Sequence, residues 1–379
     1  MSFRSFAGFA AICSFWSVAT AQPAPVVALD AVDNTLAVSA TPAMWRVSDA
    51  DSEVYLLGTF HILPPSVSWR TPALNEAFAA ADRVYFEVDA TAADAQSKTL
   101  GVMMSEGFLP AGETLSQMLE PADAERLKSI AEGMGMPLAA IDVMRPWQAF
   151  LSLSVQFIIN KGFDPSAGVD SVLLSEARGT GKELKFFETI NEQLGFFTGL
   201  STEVEEELLT LTLRDWDAQV DGFNELFNAW ATGNDTFIDE SMNAQMREQT
   251  PEVFATLISQ RNIAWAETLA ADINANAGTT FVAVGAAHLV GEQSVQALLG
   301  EKGFSVARYG AETQADAVDI EAPINDNTPI HEGDDGNNSD ASEAGDIVAN
   351  DNGANSNDEN ENVEAEDLIA DILLQSDEL

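Results

Sequence analysis

Apolar residues along the chain fall into short runs separated by longer amphipathic stretches, and their order predicts an α/β protein. Residues 54–57 form an apolar run followed by Gly58. In residues 72–81, Leu74 and Phe78 stand four apart, which places both on one helix face. Residues 83–88 are mostly β-branched and aromatic and predict a strand. Strand, helix, strand at this spacing is a βαβ unit, so parallel pairing is expected. Later, residues 168–178 are helix-like, Gly179 and Gly181 interrupt them, and residues 183–187 are strand-like. Residues 280–284 read as a fully buried strand, 292–299 as a helix and 304–309 as a last strand. Longer helical patterns lie between: 147–160 opened by Pro146, 202 to about 230 with acids in its first turn, and 251–274. The expected architecture is a central, mainly parallel sheet flanked by helices, with a helical insertion mid-chain.

Composition changes the picture at both ends. Arg4 precedes a short apolar stretch over residues 6–18, and Ala19-Thr20-Ala21 fits a signal-peptidase site. The stretch is shorter than the roughly 20 residues a membrane span needs. Residues 1–21 are therefore read as a cleaved signal, with export to a periplasm or out of the cell. No membrane span is expected after cleavage. Residues 22–43, rich in Ala, Pro and Val, read as a linker, and residues 44–310 as the folded domain. Beyond Arg308 there is no Lys or Arg, and Asp, Glu, Asn, Gly and Ser dominate. Residues 311–379 are expected to be an acidic disordered tail. Within it, Leu368, Ile369, Ile372 and Leu373 have the spacing of a short amphipathic helix that a partner would order.

The 61 acidic and 17 basic residues give a net charge of −44, which opposes nucleic-acid binding by repelling phosphate. The single cysteine, Cys13, lies in the signal. Its loss on cleavage would remove disulfides, thiolate metal ligands and cysteine nucleophiles together. It also suits an oxidising compartment.

The chain has three histidines, and His331 lies in the acidic tail. The other two share a pattern: Gly58-Thr59-Phe60-His61 and Gly285-Ala286-Ala287-His288 each follow a strand-like run. A glycine there is expected to let the backbone turn sharply and send the histidine off the strand end. Glu87 and Glu188 occupy comparable positions at the ends of two other strands. Ligands of open parallel sheets bind beyond the carboxyl ends of the strands, so His61, Glu87, Glu188 and His288 are candidates to converge. Two neutral imidazoles with a carboxylate suit zinc, manganese, cobalt or iron(II), and an ion with an open position makes a nucleophile of its water. A second carboxylate would take the proton. The competing reading is that each histidine is a hydrogen-bonded structural residue and each acid a cap or a solvated charge. No Gly-x-Ser-x-Gly elbow is present, and Gly179-Thr180-Gly181-Lys182 lacks the spacing of a phosphate loop.

Three segments resemble the TraB/GumN family. YLLGTFHILPPSVSWR with the ADRVYFEVD strand resembles its start, GVDSVLLSEARGTGKELKFFETINEQL its middle, and FVAVGAAHLVGEQSVQALLGEKGFSV its end. The resemblance implies a fold shared with Tiki-type metalloproteases and erythromycin-esterase/ChaN-like proteins. It also implies a divalent metal (manganese, cobalt or zinc) held by His61 and His288, with Glu87 as ligand or general base. Glu188 matches the middle block's Glu-Thr. Arg145, in Met144-Arg145-Pro146-Trp147, is a candidate oxyanion stabiliser or carboxylate clamp, or else an ion pair fixing the following helix. The expected function is a metal-dependent hydrolase of peptide or small-molecule substrates. The alternatives are a non-catalytic periplasmic protein binding a metal, haem or peptide in the same cleft, and an envelope protein whose tail recruits a partner.

Overall fold

The computed structural model describes residues 39–310. The expected signal, nearly all of the expected linker, His331 and the expected disordered tail lie outside the described residues. Six strands form one sheet: β1 (Met44–Ser48), β2 (Ser52–Thr59), β3 (Arg83–Phe86), β4 (Glu183–Phe186), β5 (Gly278–Gly285) and β6 (Ser305–Tyr309). Their order across the sheet is β4-β3-β5-β2-β1-β6. The pairs β4/β3, β3/β5 and β5/β2 are parallel, whereas β1 runs antiparallel to both β2 and β6. The sheet is thus mixed and mostly parallel, as the βαβ reading requires.

The residue pattern missed β1. Its residues MWRVS alternate only from Trp45 to Ser48, with Trp45 and Val47 buried, Arg46 exposed and Ser48 half-buried, a run of four positions that is short for a strand signal. A tight turn supplies the missing cue, because Asp49 Oδ1 accepts from the amides of Asp51 and Ser52. Strand β5 lies between β2 and β3 although it comes last of the parallel strands. Covered on both faces, it runs Phe281, Val282, Ala283, Val284 with 1% exposure or less, hence its unbroken apolar sequence.

The helices used below are α1 (Pro72–Ala80), α2 (Ala95–Glu106), α3 (Pro121–Gly133), α4 (Pro146–Asn160), α5 (Val169–Thr180), α6 (Ile190–Thr198), α7 (Thr202–Arg214), α8 (Trp216–Ala231), α9 (Gln260–Ala275) and α10 (Val295–Glu301). Thr71 caps α1, a reciprocal Thr189–Glu192 capping box opens α6, and Gly181 in the left-handed region closes α5. The helix expected from residue 202 to about 230 is broken at Asp215 into α7 and α8. The one expected over 251–274 contains a π-helical turn, Ala255–Ser259, just before α9. The helix expected at 292–299 starts later, as α10, after a 3-10 turn.

Alternate residues of β2 serve opposite faces. Leu57 packs into a large cluster with Phe60, Trp147, Phe223 and Trp230 of the helical insertion. Leu56 packs with Trp265, Leu269, Val282 and Val284 on the other face. Among the described residues, no helix is long and apolar enough to cross a membrane.

Leu56→Ala, at 0% exposure, should cost about 2–5 kcal/mol. Leu100→Ser, at 57% exposure on α2, should move stability by no more than about 0.5 kcal/mol. Urea titration followed by circular dichroism compares the two.

Candidate active site at the carboxyl edge of the sheet

The parallel strands bring His61, Glu87, Glu188 and His288 to one edge. Thr59 pairs with Gly285 at the ends of β2 and β5, and Phe86 pairs with Ala283. His61 lies two residues beyond β2, and His288 lies in the 3-10 turn Ala286–Leu289 beyond β5. Glu87 and Glu188 follow β3 and β4, where the Glu188 amide donates to the Glu87 carbonyl and extends the ladder. All four side chains are buried.

The two glycines of the repeated motif act differently from the turn expected of them. Gly58 and Gly285 both belong to strands, and Gly285 has φ −50°. Gly58 permits close packing, since a Cβ there would stand 3.2 Å from Ala286 Cα. A third glycine has the decisive position. At Gly168 a Cβ would come 1.9 Å from the His61 carbonyl oxygen. Next to it, the Val169 amide donates to the Phe60 carbonyl, and Trp230 Nε1 of α8 donates to the Gly58 carbonyl. The insertion therefore fixes the path of residues 58–61. On the other side, Asn243 Nδ2 donates to the Ala287 carbonyl and holds the 3-10 turn.

Each imidazole is pinned through Nδ1. His61 Nδ1 lies 2.5 Å from Asp170 Oδ2, and His288 Nδ1 lies 2.6 Å from Asn262 Oδ1. Both partners accept, so both Nδ1 atoms carry the proton, and a neutral ring then presents its lone pair at Nε2. The two Nε2 atoms face one oxygen, Glu87 Oε1, at 3.9 Å from His61 and 4.0 Å from His288. That oxygen also accepts from the Gly285 amide at 2.7 Å. His61 Nε2 has no hydrogen-bond partner despite full burial.

The two rings differ electrically. Burial pulls the His61 pKa down, but the charge and hydrogen bond of Asp170, with Glu87 beyond, outweigh it and hold the pKa above its ordinary value. Burial, then the positive charges of Arg261 and His61, push His288 well below its ordinary value, so it is neutral.

Arg261 of α9 ties the acids together. Its Nε donates to Glu188 Oε1 at 2.7 Å, and Nη2 donates to Glu87 Oε2 at 2.8 Å and Glu188 Oε2 at 3.0 Å. Nη1 donates to the Leu257 carbonyl at 3.0 Å and to His288 Nε2 at 3.1 Å. Each of the five guanidinium hydrogens thus has an acceptor. Leu257 lies in the π-helical turn that precedes α9. Trp265, one turn along α9, donates to Glu188 Oε1 and lies under the guanidinium at 4.7 Å. Burial raises the Glu188 pKa against the opposing pull of Arg261.

His61, Glu87 and Asp170 line a narrow cavity of about 10 Å³, the room of one water or one ion. Val88 and Ala90 after β3 and Gln193 of α6 form another wall of it, and His288 lies outside its lining. That wall rests on a small apolar cluster of Val88, Ala95, Ile190 and Leu194, separate from the two large ones. Among the described residues, no three histidine, cysteine or acidic side chains stand close enough to enclose an ion as placed. The donor chemistry does fit a divalent ion. His61 Nε2 is an orphaned buried nitrogen, each Nδ1 has an oxygen behind it, and a carboxylate oxygen stands between the rings.

The TraB/PrgY/gumN family model matches residues 43–308. The chain belongs to that family. No curated protein and no solved structure matches it. The TraB/PrgY/gumN region is thus the sheet with its insertion, and it contains every residue of the cluster.

Arg145 does not join the cluster. It precedes α4, pairs with the buried Glu205 and donates to the Glu106 carbonyl, the helix-fixing ion pair weighed from sequence. Arg261, Asn262 and Asp170 were not foreseen. Asp170 sits in the first turn of a helix, where an acid reads as a partner of the helix dipole. The available signal for Arg261 was scarcity: with 17 basic residues in the chain, one in a helix face containing Trp265 stands out.

Gly168→Ala should destabilise the TraB/PrgY/gumN domain by about 3 kcal/mol or more, because His61 backbone cannot yield as a side chain would. Chemical denaturation measures it. Asp170→Asn keeps the hydrogen-bond geometry but removes the charge that raises the His61 pKa. The His61 resonance should then titrate at lower pH by NMR; an unmoved midpoint would refute the electrostatic account.

Proposed function

We propose that the chain is a metal-dependent hydrolase acting on peptide bonds, with His61, His288 and Glu87 as its centre. The observation that carries this reading is the convergence of two pinned imidazoles on Glu87 Oε1, at 3.9 and 4.0 Å. Charge supports it as well. Asp170, Glu87 and Glu188 bring three negative charges into a buried space where Arg261 brings one positive. An ion taken up at Nε2 would displace the second proton of His61, and with both rings then neutral the deficit is that of a divalent cation.

His61 and His288 would hold the ion through Nε2, with Glu87 Oε1 between them. When bound, the ion would polarise a carbonyl and lower the pKa of a water. Glu87 is kept in place through its other oxygen by Arg261 and Gln193, so Oε1 is aimed at the position between the rings. Glu188 has both oxygens committed to Arg261 and Trp265, which makes it a positioning residue and not the proton acceptor. The first 21 residues and the absence of cysteine after Cys13 support action in a periplasm or outside the cell.

The small volume of the cavity beside His61 favours a second reading, a protein that binds a metal without turnover. Its volume suits an ion and not a haem. The purified chain should cleave members of a peptide library only with manganese, cobalt or zinc present, and His61→Ala and His288→Ala should abolish this. Cleavage unchanged in both variants would remove the assignment. Stoichiometric metal with no cleavage of any peptide would favour the binding reading.

A further inference from the structure

Arg261 stands where a cationic ligand of the cluster would stand. One Nη1 hydrogen occupies the His288 Nε2 lone pair at 3.1 Å, and Nη2 holds Glu87 Oε2 at 2.8 Å. At 2% side-chain exposure the charge is hardly screened by water. The contact with His288 is the dispensable one. Losing it leaves Nε and Nη2 on the two carboxylates and Nη1 on the Leu257 carbonyl. The rings of Trp265 at 4.7 Å and Phe196 at 5.2 Å crowd the guanidinium, so only a small displacement is open to it.

We propose that Arg261 is a resident cation that competes with a divalent ion for His288 Nε2 and for the negative charge of the two glutamates, and so sets the ion affinity of the site. This rests on the reading of His61, Glu87 and His288 as ion ligands. It follows that the site admits an ion only as Nη1 leaves His288 Nε2. It also follows that the guanidinium keeps the two glutamates neutralised while no ion is bound. The affinity of the native chain is then lower than its donor set alone would give.

The test uses isothermal titration of the full chain, Arg261→Gln and Arg261→Lys with manganese, cobalt or zinc chloride. Thermal melts and the cobalt absorption spectrum are followed in parallel. Arg261→Gln removes the charge and frees His288. Arg261→Lys keeps a charge but cannot reach both glutamates and His288 at once. Arg261→Gln should bind the ion at least tenfold more tightly than the native chain, with Arg261→Lys between them. Arg261→Gln should melt lower without the ion and gain more from its addition. If the glutamine variant fails to fold without an ion, the lysine variant decides the matter by the same comparison. Affinity equal to or weaker than native in both variants would overturn the proposal while leaving the metal centre standing. Binding by the variants but not by the native chain would support the proposal and remove native metal dependence. No binding by any of the three would overturn both.

Discussion

Removing a carboxylate from water costs several kilocalories per mole unless donors or a cation replace the lost hydration. At the carboxyl edge of this sheet, Glu87 and Glu188 are buried side by side, with Asp170 a short distance away behind His61. Arg261 meets the requirement for the two glutamates by directing three of its hydrogens at them. Everything around it serves that arrangement. The π-helical turn presents a carbonyl, Trp265 supplies both a donor and an aromatic face, and the Gly285 amide takes the glutamate oxygen that Arg261 does not reach. The site is built around compensated charge before any substrate is considered.

Topology makes that compensation possible. A crossover from β2 to β3 leaves room for one more parallel strand between them, and β5 fills it. His288 thereby arrives beside both His61 and Glu87, although the three lie far apart in sequence. The helical insertion has a precise role in this geometry. Trp230 and Gly168 guide the chain before and beside His61, and Asn243 steadies the turn carrying His288. The insertion is thus part of the site's frame and not an ornament on the sheet.

Much of this was legible in the residue pattern. The parallel strands, the flanking helices and the convergence of His61, Glu87, Glu188 and His288 follow from apolar runs and from what stands at their ends. Strand β1 was hidden because its alternation runs only from Trp45 to Ser48, four residues in all. The neighbours of the histidines were hidden for another reason. Asp170, Asn262 and Arg261 sit in helices, where ordinary solvent exposure explains a polar residue as well as a buried hydrogen bond does. Only the third dimension tells which face each helix turns inward. The glycines misled in the opposite direction: Gly58 and Gly285 looked like turn residues and are strand residues, while Gly168 is the one that permits close approach.

The wall over the cavity has its own apolar cluster, made of Val88, Ala95, Ile190 and Leu194. The two helices that carry it also reach the largest cluster, through Met103 of α2 and Phe197 of α6, which stacks on Trp147. The wall over His61 is therefore tied into the main core by the same helices that carry its own small cluster, and its position is fixed by the packing of the whole insertion.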